Sequence, residues 1–188
     1  MGEVKSLLDI LELQRQLDET ISKKRDSGFV PRERGYKDII LSMVAEIIKF
    51  NEETRNSHKT LKEKDFNLDK MKEEAVDILF FLAQLINHLK EEFTIIKTNG
   101  INRYWETQWE KKCTIEANEL ELLEYVVCDY INSSVYKLTG IIQKLVNIYK
   151  MNDISEQEVY DIYYKKWQKN IGRIKGDWTK WDMNHQKI

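Results

Sequence analysis

From Ala75 to Ile86 the chain reads AVDILFFLAQLI, and this run constrains the fold more than any other stretch. Its residues are apolar on nearly every side of a helix, so the segment has to be enclosed by other elements. About a dozen residues are too few to cross a bilayer, which takes roughly 20. The run therefore reads as the centre of a core helix from about Leu68 to Glu92. Asp77 is out of place there, among Val76, Ile78, Leu79, Phe81 and Leu82. Glu74 stands on the same helical side, one residue before the run. A bare carboxylate in apolar surroundings is expensive to desolvate, so something must compensate it.

The rest of the chain also reads as helical. Leu7, Leu8, Leu11, Leu17 and Ile21 recur at helical spacing within residues 3–25. That segment ends in Lys23, Lys24 and Arg25, cations that suit the negative end of a helix dipole. The loop SGFVPRERGY follows at 27–36, then a second helix from about Lys37 to Arg55, then the polar linker NSHKTLKEKDF. Residues 97–114 read as a loop with a helical turn, and 115–150 as one or two helices with a break at Ser133-Ser134 or Gly140. SEQE at 155–158 is a capping-box pattern that opens a last helix, fraying near Gly172 or Gly176. With one Pro and seven Gly in 188 residues and no period-2 pattern, the expectation is all-α: a bundle of about five to seven helices forming a single domain, 1–188.

Composition narrows the function classes. A hydrophobic share of 41% against 33% charged describes a packed, soluble chain rather than a disordered one. A net charge of −2 provides no positive field, so direct nucleic-acid binding is not expected. The N-terminal MGEVKSLLDILELQRQLDE carries charges throughout its apolar pattern and reads as neither signal peptide nor membrane span. Cys113 and Cys128 make neither a disulfide framework nor a zinc site, and read as reduced thiols in a cytoplasmic setting.

The acids on the apolar helices carry the chemistry. Between Ile39 and Asn51 the only acid is Glu46, set among Ile39, Ile40, Met43, Val44, Ile47, Ile48 and Phe50. Glu53 returns to nearly the same face, and Glu74 and Asp77 share a face of the next helix as i,i+3 neighbours. Glu46 has Lys49 at i+3, a structural pair that could account for it alone. Asp77 has no base one turn away, since Glu73, Glu74, Phe80 and Phe81 hold those positions. Acids converging from two helices repel unless a cation lies between them. A hard divalent cation suits such oxygens, and Mg²⁺ commonly takes one or two carboxylates together with substrate phosphates. The residues thus point to a Mg²⁺-dependent phosphate site within a helical bundle.

At this point the motifs resemble a known family. EIIKFNEETR at 46–55 followed by EEAVDILFFL at 73–82 is similar to the metal-binding core of the all-α dimeric dUTPases, members of the all-α NTP pyrophosphatase superfamily. The family pattern is E-x-x-E on one helix and E-x-x-D on the next, and Glu46, Glu74 and Asp77 match it. LLDILELQRQLDETI at 7–21 resembles the first helix of the family, and YYKKWQKNIGRIKGDW at 163–178 its closing signature. The resemblance implies hydrolysis of dUTP to dUMP and pyrophosphate with carboxylate-bound Mg²⁺, in a homodimer whose sites can draw on both chains. It implies Glu46, Glu74 and Asp77 as catalytic metal ligands, with Glu53 a further candidate. It implies that Gln14 hydrogen-bonds uracil, that Phe81 packs against the base, and that Lys166, Asn170 and Arg173 hold the phosphates or nucleotide. Arg173 can grip a phosphate in a bidentate way, while Lys166 is a point charge.

The chain departs from the pattern in places. Lys49 stands where the family has the second Glu of E-x-x-E, Phe80 where His is usual, and Trp178 after Gly176-Asp177 in place of a simple G-Y ending. The aromatic expected after the N-E-T-R segment is absent, since N-S-H-K-T follows. Lys49 leaves three outcomes open. Glu53, or less readily Glu52, can shift in and keep a reduced metal site. The ammonium can itself neutralise the acids, leaving a nucleotide- or protein-binding module without catalysis. Or Lys49 can lie aside, with fewer ions and weaker activity. A pyrophosphatase acting on another nucleoside triphosphate, such as dCTP, is a further alternative. Tyr104, Trp105 and Trp109 fit either an interface or the core.

Overall fold

The computed structural model describes residues 4–26, 34–59, 65–92, 98–113, 118–128 and 135–176. Among them the chain forms seven helices and no strand: α1 (Leu7–Asp26), α2 (Tyr36–Glu53), α3 (Leu68–Glu92), α4 (Thr98–Glu110), α5 (Glu119–Cys128), α6 (Val135–Met151) and α7 (Glu156–Lys175). The all-α bundle expected from the sequence is thus what forms. Most of the 27–36 loop, the linker residues 60–64, Ser133-Ser134 and Trp178 lie outside the described residues. No described helix is long and apolar enough to cross a membrane.

Helix α3 runs over the span its pattern predicts and occupies the centre. Ala75, Val76, Ile78, Leu79, Leu82, Ala83 and Ile86 are all fully buried. Its sides are taken by α1, α2 and α7, so the absence of a polar face has a direct cause. Truncating one of these side chains, Leu82→Ala for example, removes about 2–5 kcal/mol of stability through lost burial and the cavity left behind.

Residues 97–114 differ from expectation: most of them form α4, three turns of helix. Asn99, Gly100 and Asn102 weaken the local signal, and tertiary packing overrides it. Ile101, Trp105 and Gln108, one or two turns apart, form the buried face. The Trp105 indole donates to Tyr160 Oη at 2.9 Å and to Glu156 Oε1 at 3.0 Å, both on α7. Trp105 is therefore core, and Tyr104 and Trp109 pack partly buried against it. The Lys150 ammonium closes the end of α4 by donating to the carbonyls of Gln108 and Lys111, groups left open at a helix C-terminus.

Gly140 does not break a helix but lies inside α6. A Cβ there would collide with the Tyr125 phenol of α5, so the glycine permits close packing of the two helices. Helix α6 ends at a tight turn in which Ile154 N donates to Tyr149 O at 2.9 Å and Asp153 takes φ 53°. Asp tolerates this left-handed conformation better than most side chains. The predicted capping box follows: Ser155 Oγ accepts from Glu158 N at 3.3 Å, and Glu158 Oε2 accepts from Ser155 N at 2.9 Å. Lys72 of α3 donates to Glu158 at 2.6 Å, and this contact with the capping bonds holds the Glu158 carboxyl down to about 2. The start of α7 is thereby anchored, and the helix continues past Gly172 to Gly176. Helix α7 packs against α1 and α3, and Lys166 of its basic stripe reaches Asp77 of α3.

Candidate active site

Helices α1, α2, α3 and α7 enclose a cleft of 410 Å³. Acidic side chains line it in two places, Glu46 and Asp77 at one and Asp18 at the other. The first is the expected one: oxygens of Glu46, Glu74 and Asp77 approach within 4.8 Å of one another. Burial raises the carboxyl pKa of Glu74, and the Asp77 charge adds to the rise. The Asp77 carboxyl is also raised by burial, against an opposing pull from Lys166. Three acids this close call for positive charge.

Two ammonium groups supply part of it. Lys49 Nζ lies 2.9 Å from Glu46 Oε1, one turn along α2. Its pKa is raised, first by that hydrogen bond and further by Glu74 and Asp77. The Lys49 side chain is 56% exposed and that of Glu46 only 12%, so the lysine reaches in from the rim. From α7, Lys166 Nζ donates to Asp77 Oδ2 at 2.6 Å and to Glu73 O at 2.9 Å. The donor set of three carboxylates fits a hard divalent cation. Both lysines occupy lone pairs that such a cation would also use.

Glu53 is not part of this group. Its buried carboxylate pairs with Lys70 of α3 at 2.8 Å. Glu52 turns outward to Lys59, with 2.5 Å between Oε1 and Nζ. Asn51, between Phe50 and Glu52, donates to Glu119 Oε1 at 2.7 Å and accepts from His58 N at 3.0 Å. The end of α2 is thus tied to α5 and to the segment that follows it.

Asn170 and Arg173 line the same cleft, joined by Lys169, which the sequence reading did not single out. Phe81 lines it as well, with the Arg34 guanidinium 5.6 Å from its ring centre. Phe80 also lines the cleft and stacks on Tyr163 with ring centres 4.0 Å apart.

The second group centres on Asp18, a residue the sequence reading passed over. Gln14 Nε2 and Gln84 Nε2 both donate to Asp18 Oδ1, each at 2.9 Å. Gln14 Oε1 in turn accepts from Tyr163 Oη at 3.0 Å. Gln14 is 4% exposed, and its amide oxygen and one N–H are already engaged inside the protein. Burial lifts the Asp18 carboxyl to about 6 despite the two amides and the charge of Arg34. One local signal was available: Gln14 and Asp18 stand one turn apart beside Leu17 on the apolar stripe. Gln84 could not be connected to them from one helix alone.

A helical bundle with a carboxylate centre beside a cleft rimmed by cations defines a class of phosphate-handling proteins. The dUTPase family model matches residues 6–178, and the chain belongs to that family. No curated protein and no solved structure matches the chain.

Proposed function

We propose that this chain, as one domain over residues 1–188, hydrolyses dUTP to dUMP and pyrophosphate. The observation that carries the reading is the junction in one cleft of Glu46 and Asp77, which cluster with Glu74, with Lys166, Asn170 and Arg173. Mg²⁺ held by Glu46, Glu74 and Asp77 supplies, when bound, charge neutralisation of the triphosphate and a lowered pKa for water. Lys166, Lys169 and Arg173 orient the phosphates and stabilise charge that develops on them. Water adds to phosphorus, the linkage between the α and β phosphates breaks, and pyrophosphate leaves. The water's proton passes to a carboxylate of the cluster. The test is pyrophosphate release from dUTP across a range of Mg²⁺ concentrations, with dCTP and dTTP beside it. Preferential hydrolysis of dCTP moves the assignment to another base, and silence on every triphosphate rejects the enzyme.

A second reading rests on the contact of Lys49 with Glu46 at 2.9 Å. If the protein's own ammonium satisfies the acids, the chain is an impaired, nucleotide- or protein-binding relative of the enzymes. Substituting Lys49→Glu separates the two readings. A gain of both Mg²⁺ binding and turnover favours the impaired reading, and a loss of turnover favours a working Lys49.

The proposal includes a homodimer in the cytoplasm with no direct nucleic-acid contact. What supports a dimer is apolar exposure on two neighbouring helices. Leu41 and Ile48 of α2 are 69% and 40% exposed, Leu120 and Val127 of α5 64% and 50%, and α2 packs on α5. Such patches mark association surfaces. Sedimentation velocity of the wild type and of Leu41→Glu checks it: a monomer in both discards the dimer.

A further inference from the structure

Lys49 and Lys166 both answer the acids of the cleft, yet they are held in different ways. Lys166 Nζ makes two hydrogen bonds, to Asp77 Oδ2 and to the Glu73 carbonyl, and its side chain is 19% exposed. Lys49 Nζ makes one, to Glu46 Oε1, and 56% of its side chain is in solvent. Among the described residues it has no second acceptor. An i,i+3 pair with an exposed lysine is held weakly. Lys166 is therefore a fixed cation and Lys49 a movable one. Glu46 is in the opposite position. It is largely enclosed, it lines the cleft, and Lys49 is its hydrogen-bond partner there. An enclosed carboxylate is costly to leave bare, so Lys49 can leave Glu46 only when another cation arrives.

Charge decides what must arrive with that cation. The three carboxylates of Glu46, Glu74 and Asp77 against the two ammonium groups leave one negative charge uncompensated. A divalent cation added beside both ammoniums would leave an excess of positive charge, and a polyphosphate would absorb it. An ammonium on a flexible four-carbon stem can follow such a shift. We propose that Lys49 is an exchangeable counter-charge of the site. It closes Glu46 in the nucleotide-free protein, yields Glu46 to a divalent cation, and then binds phosphate oxygens of the nucleotide. Lys49 thus reaches the phosphates from α2, whereas Lys166, Lys169 and Arg173 reach them from α7. The exchange gives Lys49 a task in a working site, and so departs from the impaired reading. The inference rests on the proposed nucleotide reading of the cleft.

Amine acetylation of the full-length wild type, read lysine by lysine by peptide mass spectrometry, follows the exchange without requiring turnover. An amine held in an ion pair acetylates more slowly than one in water. Saturating Mg²⁺ alone should raise the Lys49 rate at least about threefold, as the amine leaves Glu46 for solvent. Mg²⁺ together with a non-hydrolysable deoxyuridine imidotriphosphate should return it to the metal-free rate or below. Lys70, paired with Glu53 outside the group, is the internal reference and should not change. By titration calorimetry, Lys49→Met should bind Mg²⁺ at least about threefold more tightly, and the analogue in saturating Mg²⁺ at least about fivefold more weakly. A purely structural lysine would not move the two affinities in opposite directions. A Lys49 rate indifferent to Mg²⁺, a rate the analogue does not lower, or weaker Mg²⁺ binding by Lys49→Met overturns the proposal. The wild-type arm decides even if the variant fails to fold. Hydrolysis of dUTP together with a Lys49 rate indifferent to Mg²⁺ rejects the exchange and leaves the dUTPase reading standing. Binding of neither Mg²⁺ nor the analogue rejects both.

Discussion

The two acidic groups of the cleft are stabilised in opposite ways. Glu46, Glu74 and Asp77 crowd together and are met by the ammoniums of Lys49 and Lys166. Asp18 is met by two neutral amides. A cation compensates charge with little demand on direction, so one cation can stand in for another, ammonium for metal. An amide compensates less charge but fixes the acceptor in space. The first group is suited to exchanging its counter-charge, and the second to holding a single geometry. The pKa values follow the same division. Asp77 is raised by burial against the pull of Lys166, whereas Asp18 climbs to about 6 because the two amides, with the charge of Arg34, offset burial only in part.

The strongest way to break the comparison is to remove charge where cations gather. Asp77→Asn should lower kcat/KM for dUTP by about 10³-fold, the scale of losing an oriented electrostatic group. Pyrophosphate release measures it, and a loss below tenfold would show that Asp77 only anchors Lys166.

Next comes charge removal where amides gather, with an effect on stability instead. The Asp18 carboxyl is raised from 3.8 to about 6 in the folded chain. Its contribution is present below about pH 4, where the group is protonated folded or unfolded, and is lost as pH rises through 6. The loss approaches ~3 kcal/mol. Asp18→Asn should therefore unfold at higher denaturant than wild type at pH 8 and show little of that gain at pH 4. Urea melts at both values test the sign. A pH-independent difference would mean that Asp18 does not titrate in this way.

Lys49→Glu should raise Mg²⁺ affinity by about tenfold, since it removes a competing ammonium and adds a carboxylate. Titration calorimetry reads the change, and an unaltered affinity would place the Lys49 charge outside the site's balance. The smallest effect is expected for Tyr163→Phe, which deletes the hydroxyl orienting Gln14. A loss of about 1 kcal/mol in unfolding free energy is expected for that hydrogen bond, checked by denaturant melts.

Legibility differed between the same two groups. Glu46, Glu74 and Asp77 could be read because each breaks an apolar helical pattern, and an acid on an otherwise buried face stands out in one dimension. Asp18 lies near the edge of its stripe; its partner Gln14 is one turn away, but Gln84 and the Tyr163 that fixes Gln14 are far along the chain. No local pattern joins them. Helix α4 was missed for a related reason. Its helical state depends on burying Trp105 against Tyr160 and Glu156, partners about fifty residues away. Gly140 could not be told from Ser133-Ser134 as the break, because a glycine that allows two helices to approach looks, in sequence, like one that ends a helix.

The sequence by itself determined the helical class, the central place of α3, the cap that opens α7 and the convergence of acids from α2 and α3. Those follow from periodicity, capping and the cost of burying charge, which act over a few turns of one helix. Tertiary structure alone decided which counter-charges answer the acids, that Glu53 turns to Lys70, and that Gln14 holds Asp18. These depend on side chains brought together from separate helices. Directed hydrogen bonds and ion pairs form over a few ångströms, and only the folded packing sets distances on that scale.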